Sequence, residues 1–153
     1  MSIASRLFRW SFVLLLLTAC GEDDEGEPDD SKSPSTKETF DDQVELGLEE
    51  YTEHCSECHG GMGQGTDKAP RLVGLEEGAL PKTPPATRKV RKDEFVTVAD
   101  VAKFAVANMP PSDPGSLSTK EYLAILAFDL DANGIELDEP LTLELAADLT
   151  IPR

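Results

Sequence analysis

Apolar side chains recur at helical intervals, loosely in the first case, in three segments after residue 40, and no segment gives a convincing strand. The first segment begins at Asp41 or Asp42, either of which can cap a helix, and continues to about Cys55. The second covers residues 98–108 and stops before two prolines, which cannot continue a helix. The pattern therefore predicts an all-α fold.

The third helical segment begins at Ser118, and Glu121 stands three residues later, as in a capping box. It ends near Asn133, where the next residue is a glycine that suits a helix C-terminus. A shorter apolar stretch over residues 141–149 predicts a further helix packed on the body of the fold. Residues 60–78 are rich in glycine and predict a loop.

The first twenty residues carry a different pattern, a basic start followed by a short apolar run. Arg6 and Arg9 precede this run, which is shorter than the roughly 18 apolar residues of a membrane span. The run ends in Leu-Thr-Ala-Cys at residues 17–20, and small residues before a cysteine resemble the lipobox of bacterial lipoproteins. We therefore predict that residues 1–19 are a signal peptide and that Cys20 carries lipid. The alternative is an ordinary secretory signal with an incidental cysteine.

The residue after the predicted lipid site bears on localisation. In lipoproteins of Gram-negative bacteria, an aspartate after the lipidated cysteine favours retention at the inner membrane. Gly21 follows Cys20 in this chain, which favours the outer membrane. We therefore expect an exported protein anchored by lipid to a membrane, with the outer membrane facing the periplasm as the favoured site.

Charge and composition separate a spacer from the rest of the chain. Residues 20–39 are acidic and hold no large apolar side chain, so they predict a disordered tether, or alternatively an acidic docking site. Residues 40–153 then form a single folded domain. Across the 153 residues, 14 basic and 30 acidic side chains give a net charge of −16. Such acidity argues against a partner made of nucleic acid, because like charges repel.

The chemistry of the chain is concentrated in the sequence Cys-Ser-Glu-Cys-His at residues 55–59. Cys55 and Cys58 stand three residues apart, so on a helical turn they face the same side, a spacing that suits thioether bonds to two vinyl groups of one haem. His59 follows directly, where its imidazole can reach the iron; this is the attachment motif of c-type haem. A zinc site would need a second pair of ligands. A disulfide between the two cysteines remains the structural alternative.

A second protein ligand to the iron has few candidates. His54 precedes Cys55 directly and is too close to the attachment turn to reach the far face of the haem. Met62 lies three residues after His59, and a span of at most about 10 Å is too short to carry the chain round the edge of the porphyrin. Met109 stands at the end of a predicted helix, and Pro110 and Pro111 stiffen the backbone that follows. We predict that Met109 is the ligand. If it is instead a core methionine, the iron has no strong second protein ligand.

These motifs resemble those of class I cytochromes c over essentially all of residues 40–140. In that family the N-terminal helix carries a glycine, an aromatic residue and the first cysteine at four-residue steps. Gly47, Tyr51 and Cys55 match this series. The resemblance implies that the glycine lets the C-terminal helix cross closely, and that Phe128 on that helix packs beside it.

The resemblance extends to the loop after the histidine, which in this family often ends in proline and leucine. It implies that the carbonyl of Pro70 accepts a hydrogen bond from the His59 ring and so fixes the orientation of the ring. The segment from Lys82 to Lys92 has no counterpart in the family pattern. It holds five basic residues, which could dock an acidic partner or form a solvated loop face.

The resemblance implies helices wrapped around one covalently attached haem c, and a one-electron carrier rather than an enzyme. Its expected partners are dehydrogenases, oxidases or other cytochromes, with a redox subunit of such a system as a variant of the same function. The competing class is a gas sensor or haem enzyme whose iron site is open to a small ligand. A Met109 ligand argues against an open site.

Overall fold

A computed structural model describes residues 37–87 and 90–153, and the predicted signal peptide, Cys20 and most of the predicted tether lie outside them. The described residues form helices α1 Phe40–His54, α2 Ser56–His59, α3 Val98–Asn108, α4 Thr119–Ala132 and α5 Leu143–Asp148. This part of the chain contains no strand, only an antiparallel bridge between Thr97 and Thr150. The predicted all-α fold is confirmed.

The N-cap of helix α1 lies two or three residues earlier than the pattern of acidic residues predicted. Thr39 is the N-cap: its hydroxyl accepts from the Asp42 N–H at 3.2 Å, and the Asp42 carboxylate accepts from the Thr39 N–H at 2.8 Å. The prediction that Asp41 or Asp42 caps the helix was wrong, because Asp42 is the third helical residue and the reciprocal partner of Thr39. This pairing satisfies two N–H groups that the helix leaves open.

Helices α3 and α4 follow the predicted boundaries closely. Helix α3 spans Val98–Asn108 as predicted. At the start of α4, the Ser118 hydroxyl accepts from the Glu121 N–H at 3.3 Å, and the Glu121 carboxylate accepts from the Ser118 N–H at 2.5 Å. The predicted capping box is therefore confirmed.

The crossing of α1 and α4 depends on Gly47. A Cβ atom at this position would overlap the backbone carbonyl of Ala124 and touch the Cβ atom of Phe128. One turn further along α1, the rings of Tyr51 and Phe128 lie 4.9 Å apart at their centroids. The close approach and the aromatic neighbour implied by the family resemblance are both present.

The C-terminal segment packs back onto the helices. The buried Gln43 side chain donates to the Leu141 carbonyl at 3.0 Å and accepts from the Leu141 N–H at 2.7 Å. Leu141 belongs to the core between α1, α3, α4 and α5. Helix α5 confirms the short helix predicted over residues 141–149. Among residues 37–87 and 90–153, no helix is both long and apolar enough to cross a bilayer.

Candidate haem site

The attachment motif lies on a tight turn where α1 gives way to α2. Cys55 ends α1 as its C-cap, and its carbonyl accepts from the N–H groups of Cys58 at 3.1 Å and His59 at 2.9 Å. Both thiols are free and partly buried. Burial, acting with the nearby charge of Asp129, raises the pKa of the Cys55 thiol to about 12. Both cysteines line the same large cavity.

His59 is held by the loop that follows it. Its ring is buried, with 7% of the residue exposed, and Nδ1 donates to the Pro70 carbonyl at 2.7 Å. In the neutral ring this bond leaves the basic lone pair on Nε2, the atom suited to bind a metal. The hydrogen bond implied by the family resemblance is therefore present.

The loop itself is closed by short hydrogen bonds around the motif. The buried Tyr51 hydroxyl donates to the Gly60 carbonyl at 2.7 Å, and the Thr66 hydroxyl donates to the Cys58 carbonyl at 2.5 Å. Gly65 has a φ of 81° and donates to the His59 carbonyl at 2.7 Å, a turn that an L side chain would strain. These contacts bring Pro70 back over the histidine.

Met109 reaches the same cavity from the end of α3. Its N–H donates to the Ala105 carbonyl at 2.7 Å, so it closes the helix as the C-cap. Its carbonyl accepts from the buried Tyr122 hydroxyl at 2.6 Å, and that hydroxyl in turn accepts from the Gly115 N–H at 3.1 Å. Tyr122 on α4 therefore fixes the backbone of the predicted iron ligand.

A single cavity of about 790 Å³ joins all these elements. The residues that the sequence singled out for the cofactor all line it: Cys55, Cys58, His59, Pro70 and Met109. Apolar residues of α3 and α4 supply much of the remaining wall, including Val101, Phe104, Ile125 and Leu126. The assignment of iron ligands remains a prediction, and the structure shows its residues gathered at one site.

Of the two candidates that the sequence set aside, one lies away from the cavity and the other lies at its wall. Met62 is 56% exposed and does not line the cavity. His54 lies at the cavity wall, and its Nε2 is 3.5 Å from a carboxylate oxygen of Glu50. Neither residue is held in the way that the carbonyl bonds hold His59 and Met109.

Two buried polar atoms in the described residues have no hydrogen-bond partner, and the sequence did not predict that either of their residues lines the cofactor cavity. They are Nε of Arg91 and Oδ1 of Asp129, and both side chains line the cavity. Arg91 stacks its guanidinium on the Phe95 ring at 3.9 Å and donates to the Pro81 carbonyl at 2.7 Å. It is only 8% exposed, so it is not part of a solvated basic face, unlike exposed Lys92. Arg88 and Lys89 lie outside the described residues.

The donor set fits a covalently bound haem. Two thiols stand beside an oriented imidazole, a thioether stands on a separate element, and the wall between them is largely apolar. The unpartnered Nε of Arg91 offers a donor for a carboxylate, the group that haem carries on its propionates. Such a cavity would leave buried groups unsatisfied without a ligand of this kind.

Comparison with known proteins agrees with this geometry. The family model described as cytochrome C oxidase, cbb3-type, subunit III matches residues 42–128. A solved structure, the sulfane dehydrogenase SoxCD from Paracoccus pantotrophus, is 27% identical with a TM-score of 0.53. The match covers 71% of this chain and 53% of that chain, about half its length. The comparison with curated proteins gave no match. The matched residues span more than half of the sequence, and the chain belongs to this family of class I c-type cytochrome domains, which implies a covalently bound haem c.

Proposed function

We propose that the protein is a single-haem electron carrier with a closed iron site. One observation carries the proposal: the Cys-Ser-Glu-Cys-His turn and Met109, fifty residues apart in sequence, line the same cavity. The bound haem supplies a one-electron Fe(II)/Fe(III) couple. Ligation by histidine and methionine raises the reduction potential relative to two nitrogen ligands.

The chain's own residues have distinct parts in this function. Cys55 and Cys58 hold the cofactor by thioether bonds, and Pro70 keeps the Nε2 lone pair of His59 available as a ligand. Met109 would supply a second ligand to the iron and would in that way keep small molecules from binding there. The largely apolar wall limits the access of water, so little solvent has to reorient when the protein gains or loses an electron.

The partners proposed for this carrier are redox proteins, with dehydrogenases favoured. SoxCD, the solved structure with a similar chain, is named as a dehydrogenase, which supports a partner or subunit relationship of that kind. A chain with a net charge of −16 favours a basic docking face on the partner, because complementary charges steer encounter.

We also propose that the protein is exported and anchored by lipid at Cys20, with residues 20–39 as a spacer. The signal-like pattern of residues 1–19 supports export, and Gly21 supports the outer membrane on its periplasmic side. A flexible spacer keeps the haem domain near membrane partners and raises their effective concentration.

The function is tested on the purified full-length protein loaded with haem. A spectroelectrochemical titration should give one reversible one-electron couple and one haem per chain, and the reduced protein should not bind carbon monoxide. Cys58→Ala should lose a thioether bond, whereas Cys20→Ala, which leaves the Cys-Ser-Glu-Cys-His motif intact, should load haem normally. Ready binding of carbon monoxide by the reduced wild type would instead support the gas-sensor or enzyme alternative.

A further inference from the structure

Asp129 is an acidic residue on the packed face of α4. The helix buries its neighbours Phe128 and Leu130, and Asp129 itself is 6% exposed. Its side chain lines the haem cavity on one side and a small void on the other. The void is walled mainly by aliphatic side chains, among them Leu75, Val98 and Leu126. A carboxylate at this position has left water almost completely.

Within residues 37–87 and 90–153, no group donates a hydrogen bond to the buried Oδ1 of Asp129. Asn133, one helical turn later, is fully occupied: its Nδ2 donates to the backbone carbonyls of Leu72 at 3.1 Å and Asp129 at 2.7 Å, and its Oδ1 accepts from the Gly74 N–H at 2.8 Å. A buried carboxylate oxygen without a donor makes the ionised form of the side chain costly.

The ionisable groups that face Asp129 come from a few elements. From α1, Tyr51 and Cys55 carry no positive charge, and the Cys55 sulfur cannot ionise once it forms a thioether. The other ionisable groups that line the cavity are His54, Cys58, His59, Lys68, Arg71, Arg91 and Tyr122. From α3 and the C-terminal segment, the residues of the small void carry no ionisable side chain. Burial raises the pKa of Asp129 to about 7.

Building on the proposed electron-carrier function, we propose that Asp129 is a redox-linked proton site. Its carboxylate binds one proton from water when one electron enters the cavity from a reduced partner protein, and it releases that proton when the electron leaves to an oxidised partner. In a water-poor cavity an added negative charge raises the proton affinity of a nearby carboxylate. Reduction then yields Fe(II) and a carboxylic acid, and the net charge of the site does not change.

The test is the midpoint potential of the haem-loaded full chain, measured from about pH 5 to about pH 9, a range that extends to both sides of neutral pH. In the wild type the potential should fall as pH rises through neutrality, with a slope approaching about 59 mV per pH unit, the value for one proton per electron. D129N should remove this slope and hold the potential at the level of the protonated wild type. D129E, which keeps a carboxyl group, should retain a slope.

The matched control is D131N, the same chemical change at an exposed position of the same helix. It should keep the wild-type slope. A potential independent of pH in the wild type, or an unchanged slope in D129N, overturns the proposal for Asp129 while the one-electron couple, and with it the carrier function, stands. The haem propionates are the other source of such a slope, and persistence in D129N would assign it to them.

A second measurement does not depend on the variants folding. In wild-type protein made with isotope-labelled aspartate carboxyls, the reduced-minus-oxidised infrared difference spectrum should gain a carboxylic-acid band that carries the label. Propionates do not carry the label, so the band belongs to aspartate. Absence of a labelled band contradicts the proposal, whereas absence of any reversible couple would contradict the carrier function itself.

Discussion

At the scale of single residues, the predicted iron ligands are positioned by groups that do not bind iron. The Pro70 carbonyl orients the His59 ring, and the Tyr122 hydroxyl holds the backbone of Met109. The family resemblance implied the first contact. The contact between Tyr122 and Met109 depends on the conformation of residues 110–117, which connect α3 to α4. These residues have no periodic pattern from which their conformation could be predicted.

Tyr122→Phe should weaken the hold on Met109. The change removes one buried hydrogen bond, worth about 1 kcal/mol, and leaves the Met109 carbonyl without its donor. In a denaturant titration of the haem-loaded protein, the methionine–iron absorption band should be lost at a lower denaturant concentration than in the wild type.

The control for this prediction is Tyr51→Phe, which removes a buried hydroxyl bonded to Gly60 instead. This variant should have a lower global stability, and it should lose the methionine–iron band at the same denaturant concentration at which it unfolds. If both variants lose the band together with the fold, Tyr122 has no specific hold on the methionine.

Arg91 and Asp129 show what residue-level sequence reasoning could not find. Arg91 lies between Val90 and Lys92 in a basic segment, so nothing local distinguishes the buried cation from its exposed neighbour Lys92. The position of Asp129 is unusual in the sequence, since it is the one charged residue in the apolar run of residues 125–130. Its lack of donors depends on how Asn133 is used, which only the tertiary structure reveals.

At the scale of helices, local chemistry predicted most of what the structure shows. The bounds of α3 and the capping box of α4 follow from residues within one turn of each end. The start of α1 was missed because Asp42, a good N-cap by type, serves as the third helical residue under Thr39. The burial of Gln43 against Leu141 was not predictable, since it joins residues from opposite ends of the domain.

Gly47→Ala should strongly destabilise the crossing of α1 and α4. The new Cβ atom would overlap the Ala124 carbonyl, which is backbone and cannot rotate away. Overpacking of this kind costs about 1–3 kcal/mol. Thermal unfolding of the haem-loaded protein, followed by circular dichroism, should show a midpoint lower by several degrees.

Gly61→Ala is the matched control, because a Cβ atom at Gly61 would meet nothing within 4 Å. It should leave the midpoint nearly unchanged. Equal shifts for the two alanine variants would contradict the close helix crossing.

At the scale of the whole molecule, each of the three cysteines has an assigned or proposed role, and the excess of acidic residues belongs to the proposed mature chain. Two cysteines lie at the haem cavity, and the third is the predicted lipid site outside the described residues. Removing the signal peptide would take away Arg6 and Arg9 and leave the mature chain still more acidic. The fold around the cofactor was predictable because its motifs are local, whereas the charges inside the cavity were not.

Cys20→Ser should release the protein from the membrane. A serine cannot form the thioether to lipid, so the chain loses its proposed anchor while the haem domain is untouched. Fractionation of cells should move the haem-stained protein from the membrane pellet to the soluble fraction, without changing its visible spectrum.

Ser31→Ala, a change within the proposed spacer, should leave the protein in the membrane pellet. If Cys20→Ser also stays there, the lipid anchor is wrong and membrane attachment has another cause.

The central claim, a closed iron site formed by His59 and Met109, is tested most directly by the visible spectrum of the oxidised protein. We expect a sulfur-to-iron charge-transfer band in the wild type and in Met62→Ala, whose side chain lies outside the cavity. The band should vanish in Met109→Ala. A wild type without the band, or a Met109→Ala variant that keeps it, would contradict the account.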